Sequence, residues 1–264
     1  MDLEKILKDT LKLVKETGAF IKNEQKNLSE DKVEVKGIHN FVTYIDKSAE
    51  KRIVDGLRLI LPESGFITEE QTATEKGEIY NWIIDPLDGT TNFIHRLFPV
   101  AISIALQEND KTILGIVYEL GLDECFYSIK GQPAFLNEKE IKVSETKLVN
   151  DSLIATGFPY YDYHRMRGYM ASFEYFMKNS RGLRRLGSAA TDLAYVAIGR
   201  FDAFYEYSLS PWDVAAGAFI VEQAGGKVCD FDGGDNYIFG KEIIATNRKT
   251  FDEFKDIIKN TIDK

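Results

Sequence analysis

The chain has 264 residues, of which 44% are hydrophobic and 28% are charged, and its formal net charge is −9. This length and composition predict an ordinary folded protein with a substantial core, built as one large domain or as two halves that share an interface. The negative charge would repel a nucleic-acid backbone unless basic residues clustered. The one short basic run is RGLRR at residues 181–185, which argues against nucleic acid as a partner.

Neither the first residues nor the longest apolar run predicts contact with a membrane. Residues 1–20 carry a charge every few positions, unlike a secretory signal, and the apolar run at 97–106 is too short to cross a bilayer. We therefore expect a soluble cytoplasmic protein. Cys125 and Cys229 have no Cys or His nearby at metal-ligand spacing, which predicts free buried thiols rather than a disulfide or a zinc site.

The first half of the chain predicts two helices followed by sheet. Apolar residues recur every third or fourth position over 3–21, the pattern of an amphipathic helix, and a second helix is predicted over 47–61, ended by Pro62. The following segments are short, β-rich and separated by charged or turn-forming residues. They predict antiparallel or mixed sheet, with strands at 81–85, 100–107, 112–120 and 124–130.

The second half alternates predicted strands and helices, which indicates layered helices and sheets. We treat residues 1–264 as a single domain, with a soft boundary near 149–151 where polar residues accumulate. Strands are predicted at 152–156, 202–207, 226–231 and 242–246, and helices at 171–179, 191–199, 211–225 and 249–262.

The segment DPLDGTTNFIHR at residues 85–96 directly follows the apolar residues 82–84. Pro86 disfavours helical geometry at Asp85, so the segment from Asp85 to Asp88 is predicted to form a tight turn at the tip of a buried strand. Both carboxylates could then point into one space. The alternative is that Asp88 only caps the following turn and Asp85 only starts a β-turn.

The residues after this predicted turn suit an anion. Gly89 has no Cβ to block an approaching group. Thr90 and Thr91 can open a short helix, whose first N–H groups have no partners within the helix. The segment could therefore hold a metal ion beside a phosphate.

A further acid stands at a predicted helix start, in SPWDVAAG at residues 210–217. Ser210 is a natural N-cap, Pro211 suits the first helical position, and Asp213 completes a capping-box pattern. Capping alone would explain Ser210 and Pro211. It also leaves Asp213 beside any ligand bound at that helix start.

The pair Glu69–Glu70 follows the apolar residues 65–67, and by itself such a pair is typical of a solvated turn. If the acids of all three segments met, their carboxylates would oppose one another's ionisation. Such a cluster persists at neutral pH chiefly when divalent cations neutralise it. Oxygen-only ligands favour Mg²⁺ or Mn²⁺ over zinc, in agreement with the lack of nearby Cys or His.

Taken together, these motifs resemble the inositol monophosphatase family of metal-dependent, lithium-sensitive phosphatases, and several matching segments are most similar to bacterial members. The resemblance implies an αβαβα sandwich that is usually dimeric. It also implies hydrolysis of inositol monophosphate, or of a similar polyol phosphate, with two to three Mg²⁺ per site and Mn²⁺ as a substitute. The matching segments are Glu69–Glu70, 85–92, 212–217 and 224–226, with further likeness at 36–46, 156–160, 187–206 and 243–247.

The same resemblance implies a set of metal ligands. Glu69, Asp85 and the carbonyl of Leu87 would bind one Mg²⁺. Asp85, Asp88 and Asp213 would bind a second, and Glu69 would help to hold a weaker third through water. Glu69 is also expected to take part in catalysis, and Asp88 and Asp213 are expected to contact the substrate.

The remaining implied roles concern phosphate, water and alcohol. The backbone N–H groups of Gly89 and Thr90 are expected to bind the phosphate. The Thr90 hydroxyl and Asp46 are expected to orient the attacking water. Ala189 and Glu206 are expected to face the substrate alcohol, with Glu206 accepting hydrogen bonds from hydroxyl groups.

The sequence departs from the family pattern at Asn40, Thr68 and Gln223, where members often have Asp, Gly and Glu. None is an expected metal ligand, so these differences bear on the surroundings of the site and on metal affinity. His39 and His95 are predicted to be structural or surface residues without a chemical role.

Two alternatives remain open. Relatives with the same metal site hydrolyse fructose 1,6-bisphosphate, histidinol phosphate or 3'-phosphoadenosine 5'-phosphate, and Arg184 and Arg185 could reach a second phosphate. Glu206, seven residues before Asp213, instead resembles the monophosphatase pattern and suits a polyol. The second alternative is a regulatory binding protein, since bacterial relatives have been linked to transcription and RNA processing. The complete set of expected ligands favours an enzyme.

Overall fold

The computed structural model describes residues 1–26, 33–37, 40–159 and 162–262, with the backbone alone at 33–37 and 40–43. His39, Tyr160 and the side chain of Asn40 therefore lie outside the described residues. The helices are α1 (Leu3–Gln25), α2 (Tyr44–Ile60), α3 (Thr90–Ile94), α4 (Met166–Lys178), α5 (Ala189–Ala197), α6 (Pro211–Gln223) and α7 (Phe251–Ile262).

The strands form two large sheets and one hairpin. The hairpin pairs β1 (Val33–Gly37) with β2 (Asn40–Thr43). The seven-stranded sheet consists of β3 (Gly65–Thr68), β4 (Tyr80–Asp88), β5 (Ala101–Glu108), β6 (Lys111–Glu119), β7 (Glu124–Ile129), β8 (Ala134–Leu136) and β9 (Lys139–Ile141). The five-stranded sheet consists of β10 (Leu153–Thr156), β11 (Gly182–Arg184), β12 (Ala203–Tyr207), β13 (Lys227–Cys229) and β14 (Glu242–Thr246).

Both sheets are mixed. In the seven-stranded sheet the strands follow chain order, β3 and β4 run parallel, and every later pair is antiparallel. The five-stranded sheet has the order β11-β10-β12-β14-β13, with β10 parallel to both of its neighbours. The 3₁₀ turn Val149–Asp151 lies in the connection between the two sheets, at the soft boundary that the sequence suggests.

The alternation of side chains along β4 shows how the layers stack, because successive residues of a strand point to opposite faces. Trp82 and Ile84 are buried in the core that the seven-stranded sheet forms with α1 and α2. Ile83, between them, packs into a second core with residues of α5 and α6, such as Leu193 and Val214. The seven-stranded sheet is therefore covered by helices on both faces.

The five-stranded sheet repeats this arrangement. Phe204 of β12 joins the core around α5 and α6, whereas its neighbour Tyr205 packs into a third core with α4 and α7. In that outer core the rings of Phe176 and Phe254 stack with centroids 4.7 Å apart. The layers thus run α1/α2, seven-stranded sheet, α5/α6, five-stranded sheet, α4/α7, which confirms the predicted αβαβα sandwich.

The segment at Asp85 differs from its predicted form. It is no turn at a strand tip, because β4 continues to Asp88 and pairs Asp85 with Ser103 and Asp88 with Ala101. The three residue steps from Asp85 to Asp88 on β4 lie opposite only two steps, from Ser103 to Ala101, on β5, so β4 carries a β-bulge. A proline is tolerated there, since a bulge leaves a residue out of the hydrogen-bond ladder. In the described part of the chain no helix is long and apolar enough to cross a membrane.

Candidate active site

A cleft of about 570 Å³ opens where β3 and β4 end and where α3, α5 and α6 begin. Acidic side chains from remote segments line it, among them the four that the family resemblance implies as metal ligands. We call these four the acidic cluster: Glu69, Asp85, Asp88 and Asp213. Leu87, Gly89, Thr90, Ala189 and Glu206 also line the cleft, so it gathers nearly all of the expected site residues.

The register of β3 and β4 joins two members of the acidic cluster. Glu69 follows β3 directly, its N–H donates to the Ile84 carbonyl (3.2 Å), and its charge helps to raise the pKa of the neighbouring Asp85 carboxyl group. Asp85 accepts a hydrogen bond from the N–H of Leu87 (2.8 Å), so the β-bulge fixes its direction. The two side chains are therefore close enough to share one positive charge.

Asp88 connects the β-bulge to the start of α5. Its Oδ2 accepts hydrogen bonds from the Ser188 hydroxyl (2.7 Å) and from the N–H of Ala190 (2.8 Å). Ser188 is the N-cap of α5, so the carboxylate lies at a helix start, where negative charge is stabilised. This contact brings Ala189 to the cleft.

Asp213 occupies the first turn of α6, as predicted. Ser210 precedes the helix, and its N–H donates to Asp213 Oδ2 (2.7 Å). That hydrogen bond leaves the second carboxylate oxygen uncommitted by the cap. Asp213 can therefore cap α6 and face the cleft at the same time.

Burial raises the pKa of every member of the acidic cluster, and the charges of acidic neighbours raise it further for Glu69, Asp85 and Asp213. Burial is the largest cause for each, and it raises the pKa of Asp88 to about 6, against hydrogen bonds from Ser188 and Ala190 that lower it. Burial, followed by the charge of Asp88, raises the pKa of Asp213 to about 7. The pKa values of Glu69 and Asp85 also lie well above their usual range, because each is buried and faces acidic neighbours.

Such a donor set fits hard divalent cations. Cations would remove the repulsion that raises these pKa values, and carboxylate and carbonyl oxygens are the ligands of Mg²⁺ and Mn²⁺. Within the described ranges, no three His, Cys, Asp or Glu side chains are already arranged to hold an ion. One oxygen of Asp88 and one of Asp213 accept hydrogen bonds from protein donors at the starts of α5 and α6.

Thr90 and Asp46 lie beside the acidic cluster. The Thr90 hydroxyl is 3.1 Å from Asp46 Oδ1 and 3.1 Å from the Leu87 carbonyl oxygen. Asp46 is buried in the first turn of α2, and its charge helps to raise the pKa of Glu69. Gly89 has φ 95° and precedes α3, and a Cβ there would lie 3.0 Å from the carbonyl oxygen of Pro99. Only glycine adopts that conformation readily.

The far end of the cleft contains Glu206, on β12. Its carboxyl group packs on Gly157, where an added Cβ would lie 2.0 Å from the carboxyl atoms. Arg185 and Asp192 also line this end of the cleft. Burial raises the pKa of Glu206 well above its usual range, while the charge of Arg185 opposes that shift.

Other predicted residues lie away from this chemistry. His95 is exposed. Gln223 lines a separate cleft, and Arg184 is exposed, with its guanidinium on the Leu183 carbonyl. Thr68 is buried and its hydroxyl donates to the Ala73 carbonyl (3.2 Å), so it supports the turn after β3.

Three residues of the cleft or its support escaped the sequence reasoning: Ser188, Asp192 and Glu50. Ser188 and Asp192 offered no signal beyond a helix start. Glu50 did offer a signal, because it lies four residues after Asp46 on the face of α2 that buries Ala49 and Ile53. Two acids on an apolar helical stripe are unusual unless they are paired.

This chain resembles known proteins over nearly its whole length. The inositol monophosphatase family profile matches residues 2–260. Nus factor SuhB of Escherichia coli strain K12 is 41% identical over 233 residues, which are 85% of this chain and 87% of that protein. The IMPase of Thermotoga maritima has a TM-score of 0.88 at 36% identity, over 97% of this chain and 98% of that one. Staphylococcal SaIMPase-II, solved with inositol monophosphate bound, has a TM-score of 0.79 at 26% identity, over 95% and 92%.

Proposed function

This chain belongs to the inositol monophosphatase family, and from that premise we propose that it is a Mg²⁺-dependent phosphomonoesterase. Its substrate is inositol monophosphate or a similar polyol phosphate, which it hydrolyses to the free alcohol and inorganic phosphate. The observation that carries the proposal is the acidic cluster, in which remote segments bring opposing carboxylates into one cleft. The hydrogen bonds of the individual acids do not require that all four carboxylates share one cleft, whereas divalent cations would offset their repulsion there.

The proposed ligands divide into two groups that share Asp85. Glu69, Asp85 and the Leu87 carbonyl would hold one cation, and Asp85, Asp88 and Asp213 would hold the second. Glu69 would also help to hold a weaker third, and Mn²⁺ would be able to replace Mg²⁺. Bound divalent cations lower the pKa of water and neutralise charge on a departing alkoxide, which a phosphate monoester needs because its uncatalysed hydrolysis is very slow.

Side chains of this protein orient the reactants. The hydroxyl of Thr90, held between Asp46 and the Leu87 carbonyl, positions the attacking water. The N–H groups of Gly89 and Thr90 bind the phosphate. The N–H of Gly89 also helps to keep the pKa of Asp88 down, so a phosphate would share that donor with the Asp88 carboxylate.

The far end of the cleft favours a polyol. Glu206 accepts hydrogen bonds from substrate hydroxyl groups, and Ala189 leaves room for the ring beside it. Asp88 and Asp213 contact the substrate from the other side. The binding of inositol monophosphate to SaIMPase-II supports this substrate class. Arg185 faces the carboxylates of Glu206 and Asp192, which argues against its capture of a second phosphate.

The test is phosphate release by the purified protein from inositol 1-phosphate, fructose 1,6-bisphosphate, histidinol phosphate and 3'-phosphoadenosine 5'-phosphate. Each substrate is assayed with Mg²⁺ and with EDTA. We expect the highest kcat/KM with inositol 1-phosphate in Mg²⁺, and no phosphate release from any substrate in EDTA. If another substrate were preferred, the protein would belong to that phosphatase class instead. Absence of Mg²⁺-dependent phosphate release from all four substrates would refute the proposal.

A second candidate function comes from the names of the relatives. Several relatives, including that of E. coli, are named Nus factor SuhB, so a regulatory role in place of catalysis, or beside it, is a candidate for this chain. The net charge of −9 argues against direct binding of nucleic acid. A variant without phosphatase activity that still performs the cellular role of the wild type would favour the regulatory candidate.

We propose further that the protein is a cytoplasmic homodimer. The family resemblance supports a dimer, and so do exposed apolar side chains at Leu97, Phe98 and Leu122, which are 58%, 56% and 64% exposed. Gel filtration with light scattering tests the oligomeric state, and a monomer at all concentrations would contradict it.

A further inference from the structure

Glu50 is a fully buried carboxylate that fastens the turn after β3. Its Oε2 accepts a hydrogen bond from the N–H of Glu70, and its Oε1 accepts from both the N–H and the hydroxyl of Thr72, all at 2.8 Å. Burial of a charge is costly unless several donors compensate it, and three donors do so here. The contact joins α2 to a turn twenty residues further along the chain.

The turn that Glu50 holds carries Glu69. On one side, the N–H of Glu69 donates to the Ile84 carbonyl of β4 (3.2 Å). On the other side, the next residue, Glu70, is bound to Glu50. Gln71 follows with φ 55°, a conformation that residues other than glycine seldom adopt. Thus the backbone of Glu69 is fixed at both ends, and Glu50 supplies one of the two attachments.

Helix α2 also holds the opposite side of the cleft. Asp46 lies four residues before Glu50, which is one helical turn and therefore the same face. It interacts with Thr90 at the start of α3. A single rigid helix thus sets the position of the turn after β3 relative to the segment after the β-bulge. The turn carries Glu69, and the second segment follows the β-bulge that begins at Asp85, so both acids proposed to share a cation are next to contacts of α2.

We propose that Glu50 is a positioning residue, which holds Glu69 where it can share a divalent cation with Asp85. The inference rests on the proposed function. It assigns Glu50 no contact with the substrate or with the cation. A glutamine at this position keeps the shape but turns an amide N–H₂ toward one of the N–H donors, so at least one of the three hydrogen bonds is lost.

The experiment is a Mg²⁺ titration of the whole protein by calorimetry, for wild type, Glu50→Gln and Asp55→Asn. Asp55 lies on the same helix but is exposed, with 58% of its side chain accessible, so this variant is a matched amide control. We expect Glu50→Gln to weaken Mg²⁺ binding roughly 10–100-fold, the range for partners that orient metal ligands, and Asp55→Asn to leave it unchanged. The kcat of Glu50→Gln at saturating Mg²⁺ should return close to the wild-type value.

A double-mutant cycle separates positioning from general damage. If Glu50 acts through Glu69, then adding Glu50→Gln to Glu69→Gln weakens Mg²⁺ binding no further. Additive losses, or unchanged binding by Glu50→Gln alone, would overturn the inference. A wild-type protein that binds no Mg²⁺ would refute the proposed function itself, so the two failures are distinguishable.

A third variant applies if Glu50→Gln does not fold. Thr72→Val removes the hydroxyl donor and keeps the N–H, so two of the three hydrogen bonds to Glu50 persist. It should fold and weaken Mg²⁺ binding by a smaller factor than Glu69→Gln does. Wild-type Mg²⁺ affinity in Thr72→Val would then contradict the role of Glu50.

Discussion

Glu69 and Asp85 lie side by side in the cleft, although they are sixteen positions apart in the sequence. The parallel register of β3 and β4 explains their proximity. Thr68 is paired with Ile84, so the residue after each comes to lie beside the other at the edge of the sheet. The backbone thereby holds two acids together that would repel each other if both were ionised, and the protein should respond to whatever relieves that repulsion.

The first prediction concerns Asp85→Asn and stability. In EDTA at pH 8 the variant should melt at the same temperature as the wild type or higher. In the wild type, burial and the charge of Glu69 raise the pKa of Asp85, so the ionised Asp85 side chain destabilises the folded state. Mg²⁺ at ~100 times its Kd should stabilise the wild type by about 2.7 kcal/mol and the variant much less. Thermal melts with and without Mg²⁺ measure both effects.

The control for this prediction is Asp9→Asn, on the exposed face of α1. It should leave both melting temperatures unchanged. An Asp85→Asn protein that gains as much stability from Mg²⁺ as the wild type would show that Asp85 binds no cation.

The second prediction concerns Asp213→Asn and turnover. Asparagine can still accept the hydrogen bond from the Ser210 N–H, so α6 keeps its cap and the protein should fold. It loses the charge that a cation requires. We expect Mg²⁺-dependent kcat/KM to fall by more than the ~10–100-fold typical of outer partners of a metal site. Steady-state phosphate release measures the loss, circular dichroism checks the fold, and near-normal activity would exclude Asp213 as a ligand.

Much of the layered fold could be predicted because the helices and strands of each layer have recognisable local sequence patterns. Helix α1 has apolar residues at three- and four-residue spacing, and β5 and β6 are short, mainly apolar runs that end at charged residues. The acids at Asp85 and Asp213 could be singled out because proline and glycine, or a capping serine, mark their surroundings. These signals all act within a few residues.

The rest depends on contacts between distant segments. The β-bulge in β4 arises from pairing with β5, and no local pattern distinguishes it from a turn at Asp85. Glu50 holds residues 70–72 and Asp88 holds the start of α5 at Ala190, and both contacts form only once the layers are assembled. The acids, and Ser210 beside Asp213, could therefore be identified from the sequence, whereas the contacts of Glu50 and Ser188 could not.

The third prediction concerns the two cysteines. Cys125 and Cys229 are buried, and burial raises the pKa of each thiol to about 12. At pH 8 only ~10⁻⁴ of either would be thiolate, the reactive form. A disulfide reagent such as DTNB should therefore modify neither in the native protein and both in guanidinium chloride. Fast reaction of DTNB with one thiol per molecule of native protein would show a reactive thiol and contradict the assignment of both cysteines as buried.

The fourth prediction concerns Gly157→Ala and substrate preference. Its Cβ would lie 2.0 Å from the Glu206 carboxyl atoms, so the carboxyl group must move. Because a hydrogen bond to a charged group contributes about 1.5–3 kcal/mol, kcat/KM for inositol 1-phosphate should fall roughly 10–150-fold. Phenyl phosphate has no hydroxyl group for Glu206 to bind, so its kcat/KM should change little.

Glu206→Gln is the matched comparison for Gly157→Ala, because it alters the same carboxyl group without a clash. Both variants should show the same selective loss, and the double variant should lose little more than either alone, since both act on one interaction. If Gly157→Ala lowered kcat/KM equally for inositol 1-phosphate and phenyl phosphate, the clash would act on the phosphate end of the cleft. Glu206 would then not be the residue that recognises the alcohol.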